Sequence, residues 1–199
     1  MKEDVLEQIV DDYLKLKGYF TIHNVKFKPS PDHPDYKRNQ DAVASDIDVL
    51  GVNPLLKPAD RVWAVSCKAW QSGFDADRIL RQLNGTAKQG KRQTWRYYRE
   101  LWIPKWSDAF IDEIQRRTGA SRFRYSIAVT FLRGKEAAWR SDPTIRRNLG
   151  TNTFSFLTLE GMWREYLEAI GTTPQPSAIG RLAQVLKAAK LLEQQDLKH

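Results

Sequence analysis

Apolar positions recur along the chain at two periods. Val5, Ile9, Tyr13 and Leu16 stand at helical spacing with Gly18 behind them, which predicts a helix over 3–17 closed by a glycine. Tyr19 to Phe27 is rich in aromatic and β-branched residues and predicts a strand; the three prolines of the following KPSPDHPDYKRNQ predict an exposed, mobile loop. Asp46–Val52 and Arg61–Cys67 read as neighbouring strands joined by NPLLKPAD. Asp75 or Asp77 caps a helix running to about Lys91, with Ile79, Leu83 and Ala87 inward. WRYYRELWIPKW reads as part of an aromatic insertion packed on the core, about residues 92–120, with a short helix from a Ser107 cap through Arg117. Phe123, Tyr125, Ile127, Val129 and Phe131 alternate strictly and predict a strand with one buried face. Thr153 to Leu159 predicts another strand, leading into a helix through about Ile170. After GTTPQPS, a last amphipathic helix with Ile179, Leu182, Val185, Ala189 and Leu192 is expected to dock on the body or to dimerise. These elements predict an α/β fold in which a mixed sheet is flanked by helices.

The length, 199 residues, suits one globular domain over 1–172 with a C-terminal linker and helix over 173–199. No apolar run reaches a membrane span and the acidic, amphipathic N-terminus is unlike a signal peptide, so a cytoplasmic protein without a membrane partner is expected. The lone Cys67 excludes an internal disulfide, and His23, His33 and His199 have no ligand-like spacing, so zinc chemistry is not indicated.

The formal charge is +8, and it is segregated. Residues 78–105 hold Arg78, Arg81, Lys88, Lys91, Arg92, Arg96, Arg99 and Lys105 against Glu100 alone, and 116–147 hold nine basic residues against Glu136 and Asp142. The remainder is net acidic. Such basic faces beside carboxylates suit a nucleic-acid backbone lying over a cation site; a solvated basic surface has the same composition.

Period-two geometry puts Asp46 and Asp48 on one face of their strand, and Ser66 and Lys68 on one face of theirs. If the strands pair with polar faces aligned, Asp48, Ser66 and Lys68 converge. A carboxylate among apolar strand residues needs a metal or a partner, so Asp48 calls for either a bound cation or a salt bridge to Lys68.

Glu7 in a first helix, Gly18-Tyr19 opening a strand, Asp46-Ile-Asp-Val-Leu-Gly51, and an apolar strand ending Ser66-Cys67-Lys68 together resemble the PD-(D/E)XK, or restriction-endonuclease-like, nucleases, in particular their Mrr-like and Holliday-junction-resolvase-like branches. The resemblance covers residues 3–90 and implies a three-layer core and metal-dependent hydrolysis of DNA phosphodiesters with Mg2+ or Mn2+. It implies Asp48 as a direct metal ligand, Glu7 as an auxiliary ligand, the Cys67 carbonyl as a further oxygen, and Lys68 orienting or deprotonating the attacking water. Gln82 sits on the helix whose counterpart often offers a polar residue to the site. DNA contacts are expected from Arg78, Arg81, Gln82, Lys88, Lys91 and Arg92, and a homodimer or partner protein is compatible with the last helix. The chain departs from the motif at Ser66, where Asp or Glu is usual. Either Ser66 ligates through water, or Asp46 makes up the charge, or the domain is a catalytically inactive nucleic-acid-binding module. An interaction domain with incidental charge is the third alternative.

Overall fold

The computed structural model describes residues 4–85, 88–89 and 92–191. In chain order the elements are α1 (Val5–Leu16), β1 (Phe20–Phe27), α2 (Arg38–Asp41), β2 (Ser45–Val52), β3 (Val62–Lys68), β4 (Phe74–Asp75), α3 (Ala76–Asn84), β5 (Lys88–Gln89), β6 (Arg92–Gln93), a 3-10 turn (Thr94–Tyr97), α4 (Arg99–Trp102), α5 (Pro104–Thr118), β7 (Arg124–Val129), β8 (Leu132–Arg133), α6 (Glu136–Ser141), α7 (Pro143–Leu149), β9 (Thr153–Thr158), α8 (Leu159–Ala169) and α9 (Ala178–Ala188).

The central sheet has the order β1-β2-β3-β7-β9, antiparallel from β1 to β3 and parallel from β3 to β9. Helices cover both faces. On one, Leu6, Val10, Tyr13 and Leu14 of α1 and Met162 of α8 pack on Val49, Trp63, Val65 and Ala128. On the other, α3, α5, α6 and α7 bury Ile79, Phe110, Trp139 and Ile145 against Leu50, Ala64, Tyr125 and Ile127. β3 is therefore buried on both sides, as its unbroken apolar run VWAV requires.

Several expectations change. The buried stripe of α1 is Leu6, Val10, Tyr13 and Leu14, and Val5 is exposed. The loop after β1 is pinned: Asp41 accepts from Lys105 Nζ at 2.6 Å and from Trp106 Nε1 at 2.9 Å, a buried ion pair that ties α2 to α5. α3 is capped by Asp75, whose carboxylate accepts from the Arg78 N–H, and ends at Asn84, short of Lys91. Ala87 lies outside the described residues. Residues 92–120 hold much of a core layer, because Tyr98, Leu101, Trp106, Phe110 and Ile114 are all buried there. α5 begins at Pro104, and Ser107 is not its cap but a buried residue bonded to the Ile103 carbonyl. β7 is buried on both faces, because Ser126, the polar residue of the alternation, accepts from Trp63 Nε1 and bonds Ser155 Oγ inside the core. Phe131 lies beyond the strand and is exposed. α9 docks on α1 and α8 through Ala183, Tyr166 and Ile170, and Ser177 at its N-cap donates to Asp12; Leu182 and Val185 point outward. No helix of the described residues is long and apolar enough to cross a membrane.

Candidate active site

β2 and β3 pair only from Val49↔Val65 to Val52↔Val62, whereas β3 stays beside β7 up to Lys68↔Val129. The two strands thus part at Asp48 and Ser66. In the fork, Asp48 Oδ2 accepts the Cys67 N–H at 2.6 Å and replaces the β2 carbonyl that a continuing ladder would have supplied. A strand residue's N–H and C=O point to the same side, so the Cys67 carbonyl opens into the same fork.

The expected sharing of a face by Asp46 and Asp48 fails at this point. Val49 packs under α1, but Ile47 belongs to the core on the opposite face, so the alternation of β2 reverses at Asp48. β1 does the same. Thr21 and His23 reach Asp11 on α1, while Val25 and Phe27 enter the other core. Between them Asn24 has φ +53°, and the β1–β2 register sets it across from Asp48. Asparagine is among the few residues that adopt this left-handed conformation at modest cost. Asp46 turns to Lys26 across the ladder, at 2.6 Å.

The electrostatics of the fork are those of crowded carboxylates. Glu7 is raised above the ordinary carboxylate range, first by desolvation and then by the charges of Asp48, Asp4 and Asp46. Asp48 is raised by desolvation, against which Lys68 and the Cys67 N–H pull down, with Asp46 and Glu100 pushing up. Burial, reinforced by Asp48 and Glu7, drives the Cys67 thiol well up, so this cysteine contributes backbone and not a thiolate. The alternative Asp48–Lys68 salt bridge is not made: none of the ion pairs among the described residues includes Lys68 or Glu7. Lys68 is half-buried and acts on Asp48 through its charge.

Ser66 is buried at the point where the strands part, and its hydroxyl acts on the Tyr125 phenol, lowering a pKa that burial holds well up. That phenol donates to Glu100 Oε1 at 2.5 Å. Glu100, buried on α4, is the functional candidate that sequence reasoning missed; the signal was a single acid inside the basic, aromatic run 78–105. Its charge is felt at Asp48.

A hard divalent cation suits these donors in kind: the second oxygen of Asp48, the Glu7 carboxylate and the Cys67 carbonyl. Among the described residues no group of three or more His, Cys, Asp or Glu side chains is close enough to hold a metal, so backbone and water oxygens would have to complete a shell.

Of the expected DNA contacts, Arg78 and Arg81 are exposed on α3. Gln82 accepts from Thr94 Oγ1 at 3.4 Å. Lys91 and the side chains of Lys88 and Arg92 lie outside the described residues. Part of the basic excess is committed internally. Lys105 is buried on Asp41, Arg116 and Arg117 grip Glu113, Arg140 pairs with Glu136, and Arg124 lies 3.8 Å over the Trp63 ring.

Comparison with known proteins returned no match to a family model, to a curated protein or to a solved structure.

Proposed function

We propose that the chain is a metal-dependent nuclease of the restriction-endonuclease-like class acting on DNA. The observation that carries this reading is the fork between β2 and β3: a partly buried Asp48 held by the Cys67 N–H, within the fields of Lys68 and Glu7. Support also comes from helices on both faces of a mixed sheet, an arrangement compatible with the three-layer core the resemblance implies.

Asp48, Glu7 and the Cys67 carbonyl are the groups that would hold Mg2+ or Mn2+. A cation there would supply charge neutralisation at the phosphate and at the leaving oxygen. Unbound, the acids repel one another, and that repulsion is itself a source of cation affinity. Lys68, in no ion pair among the described residues, is placed to hold a water or a phosphate oxygen by hydrogen bonding at the mouth of the fork. Arg78 and Arg81 attract the polyanion.

A non-catalytic nucleic-acid-binding module is the second reading, favoured by a neutral, buried Ser66 where the motif has an acid and by the short supply of side-chain ligands among the described residues. Incubation with linear duplex, single-stranded and branched DNA in Mg2+, Mn2+ or EDTA separates the two. Metal-dependent cutting of any substrate supports the nuclease; salt-sensitive binding without cutting moves the assignment to the module.

A further inference from the structure

Beyond the end of β7, the segment from Thr130 to Lys135 is tied down at Thr130, Phe131, Arg133 and Lys135. Thr130 Oγ1 donates to the Trp70 carbonyl at 2.6 Å, and the Phe131 carbonyl accepts the Phe74 N–H at 2.9 Å. Arg133 Nη2 donates to the Ser72 carbonyl, and the Lys135 N–H to Asp77 Oδ1 at 3.1 Å. The Phe131 ring rests directly on Gly73, at φ +73°, where an added Cβ would stand 2.4 Å from ring Cζ. Despite this anchoring Phe131 is 45% exposed, and the Arg133 guanidinium is 5.3 Å from its ring centre. Val129, two residues earlier, is the register partner of Lys68.

We propose that Phe131, flanked by Arg133, is a stacking platform for an unpaired base of a nucleic-acid strand whose backbone crosses the Asp48–Lys68 fork. The proposal rests on the nucleic-acid reading of that fork. A half-exposed ring already held in place loses little conformational freedom when a flat partner covers it. Aromatic rings of this kind, with arginine beside them, bind bases without regard to sequence, since every base has a π-face. Arg133 and Lys135, on the same segment as the ring, are exposed cations that attract a polyanion, against the carboxylates of Asp75 and Asp77, which accept the Arg78 and Lys135 backbone N–H groups. Bases in an intact duplex have both faces covered by their neighbours, so the platform takes single-stranded, frayed or flipped nucleotides.

The test is binding without metal. Fluorescence anisotropy in EDTA is measured with a labelled single strand of about 12 nucleotides, within the site sizes such proteins cover, and with the corresponding duplex. Phe131→Ala is expected to weaken single-strand binding about tenfold, the order of one lost base stack, with the salt slope and duplex binding unchanged. Phe131→Trp is expected to restore it, and Arg133→Gln to reduce the single-strand salt slope by about 0.7, one phosphate contact. Circular dichroism checks that each variant is folded. Binding by wild type that Phe131→Ala leaves within about twofold, or an equal loss on single strand and duplex, overturns the platform alone. A wild type that binds neither nucleic acid overturns the platform and the nucleic-acid reading together.

Discussion

Asn24, at φ +53°, stands across the β1–β2 pair from Asp48, and the side-chain alternation of both strands reverses at that pair. The kink lets Asp48 leave the ladder and turn its carboxylate to the Cys67 N–H. Replacing Asn24 by glycine should therefore be nearly neutral. Asn24→Val, β-branched and averse to positive φ, should cost about 1–2 kcal/mol and reduce any metal affinity of the fork. Urea denaturation and calorimetric titration with Mn2+ check both parts.

The raised Glu7 gives a pH dependence of definite sign. A carboxyl whose pKa is higher in the folded protein binds its proton more tightly there, so its contribution to stability is greatest below the ordinary carboxylate value and is lost as pH rises through the raised one. Wild type should accordingly lose stability relative to Glu7→Gln over that interval and keep a constant deficit above it. Millimolar Mg2+ should shrink the deficit by binding the folded state of wild type. Thermal melts of the two proteins from acid to neutral pH, with and without Mg2+, measure this; parallel curves would remove Glu7 from the crowded site.

The Asp41–Lys105 pair behaves oppositely. Lys105, the Lys37 N–H and Trp106 outweigh burial and hold the Asp41 carboxyl below its ordinary range. Stability from this group is present above the unfolded value and is lost as pH falls through the lowered one. Lys105→Met leaves Asp41 buried without its cation and should cost about 3 kcal/mol. The double variant with Asp41→Leu should recover only part of that in chemical denaturation: it removes the charge to desolvate, but Trp106 Nε1 and the Lys37 N–H lose their acceptor.

Glu100 is buried and takes its hydrogen bond from Tyr125. Tyr125→Phe removes the donor and should cost about 1–3 kcal/mol, the penalty of an unsatisfied buried acceptor. Glu100→Gln keeps an acceptor for the phenol while removing the charge felt at Asp48, so it should weaken Mn2+ binding with little loss of stability. A Glu100→Gln protein that binds Mn2+ as wild type does would confine Glu100 to packing.

Much of the sheet was legible because β2, β3 and β9 carry β-branched and aromatic runs bounded by turn residues, and because Gly18 marks the end of α1. α2, α4, α6 and α7 were missed: helices of four to seven residues are too short to display a 3.6 period and are held by tertiary packing. The two-sided burial of β7 was hidden because Ser126 counts as polar in a pattern but is hydrogen-bonded inside the core. At the fork, Asp48 and Lys68 were legible from strand pattern and motif. The face reversal was not, since a left-handed Asn24 leaves no mark on hydrophobic periodicity. Nor was the burial of Glu100, whose hydrogen bond comes from the distant Tyr125.

The most direct measurement is single-turnover cleavage of labelled DNA in Mn2+ and in EDTA by wild type, Asp48→Ala and Lys68→Ala, with metal-free DNA binding recorded on the same preparations. The nuclease reading predicts cutting by wild type in Mn2+ only, and a loss of at least about a hundredfold in each variant, in line with removal of a group acting on the transition state, while DNA binding is kept. Cutting that survives both substitutions, or a wild type that binds DNA and never cuts it, would contradict the assignment of the fork as a catalytic centre.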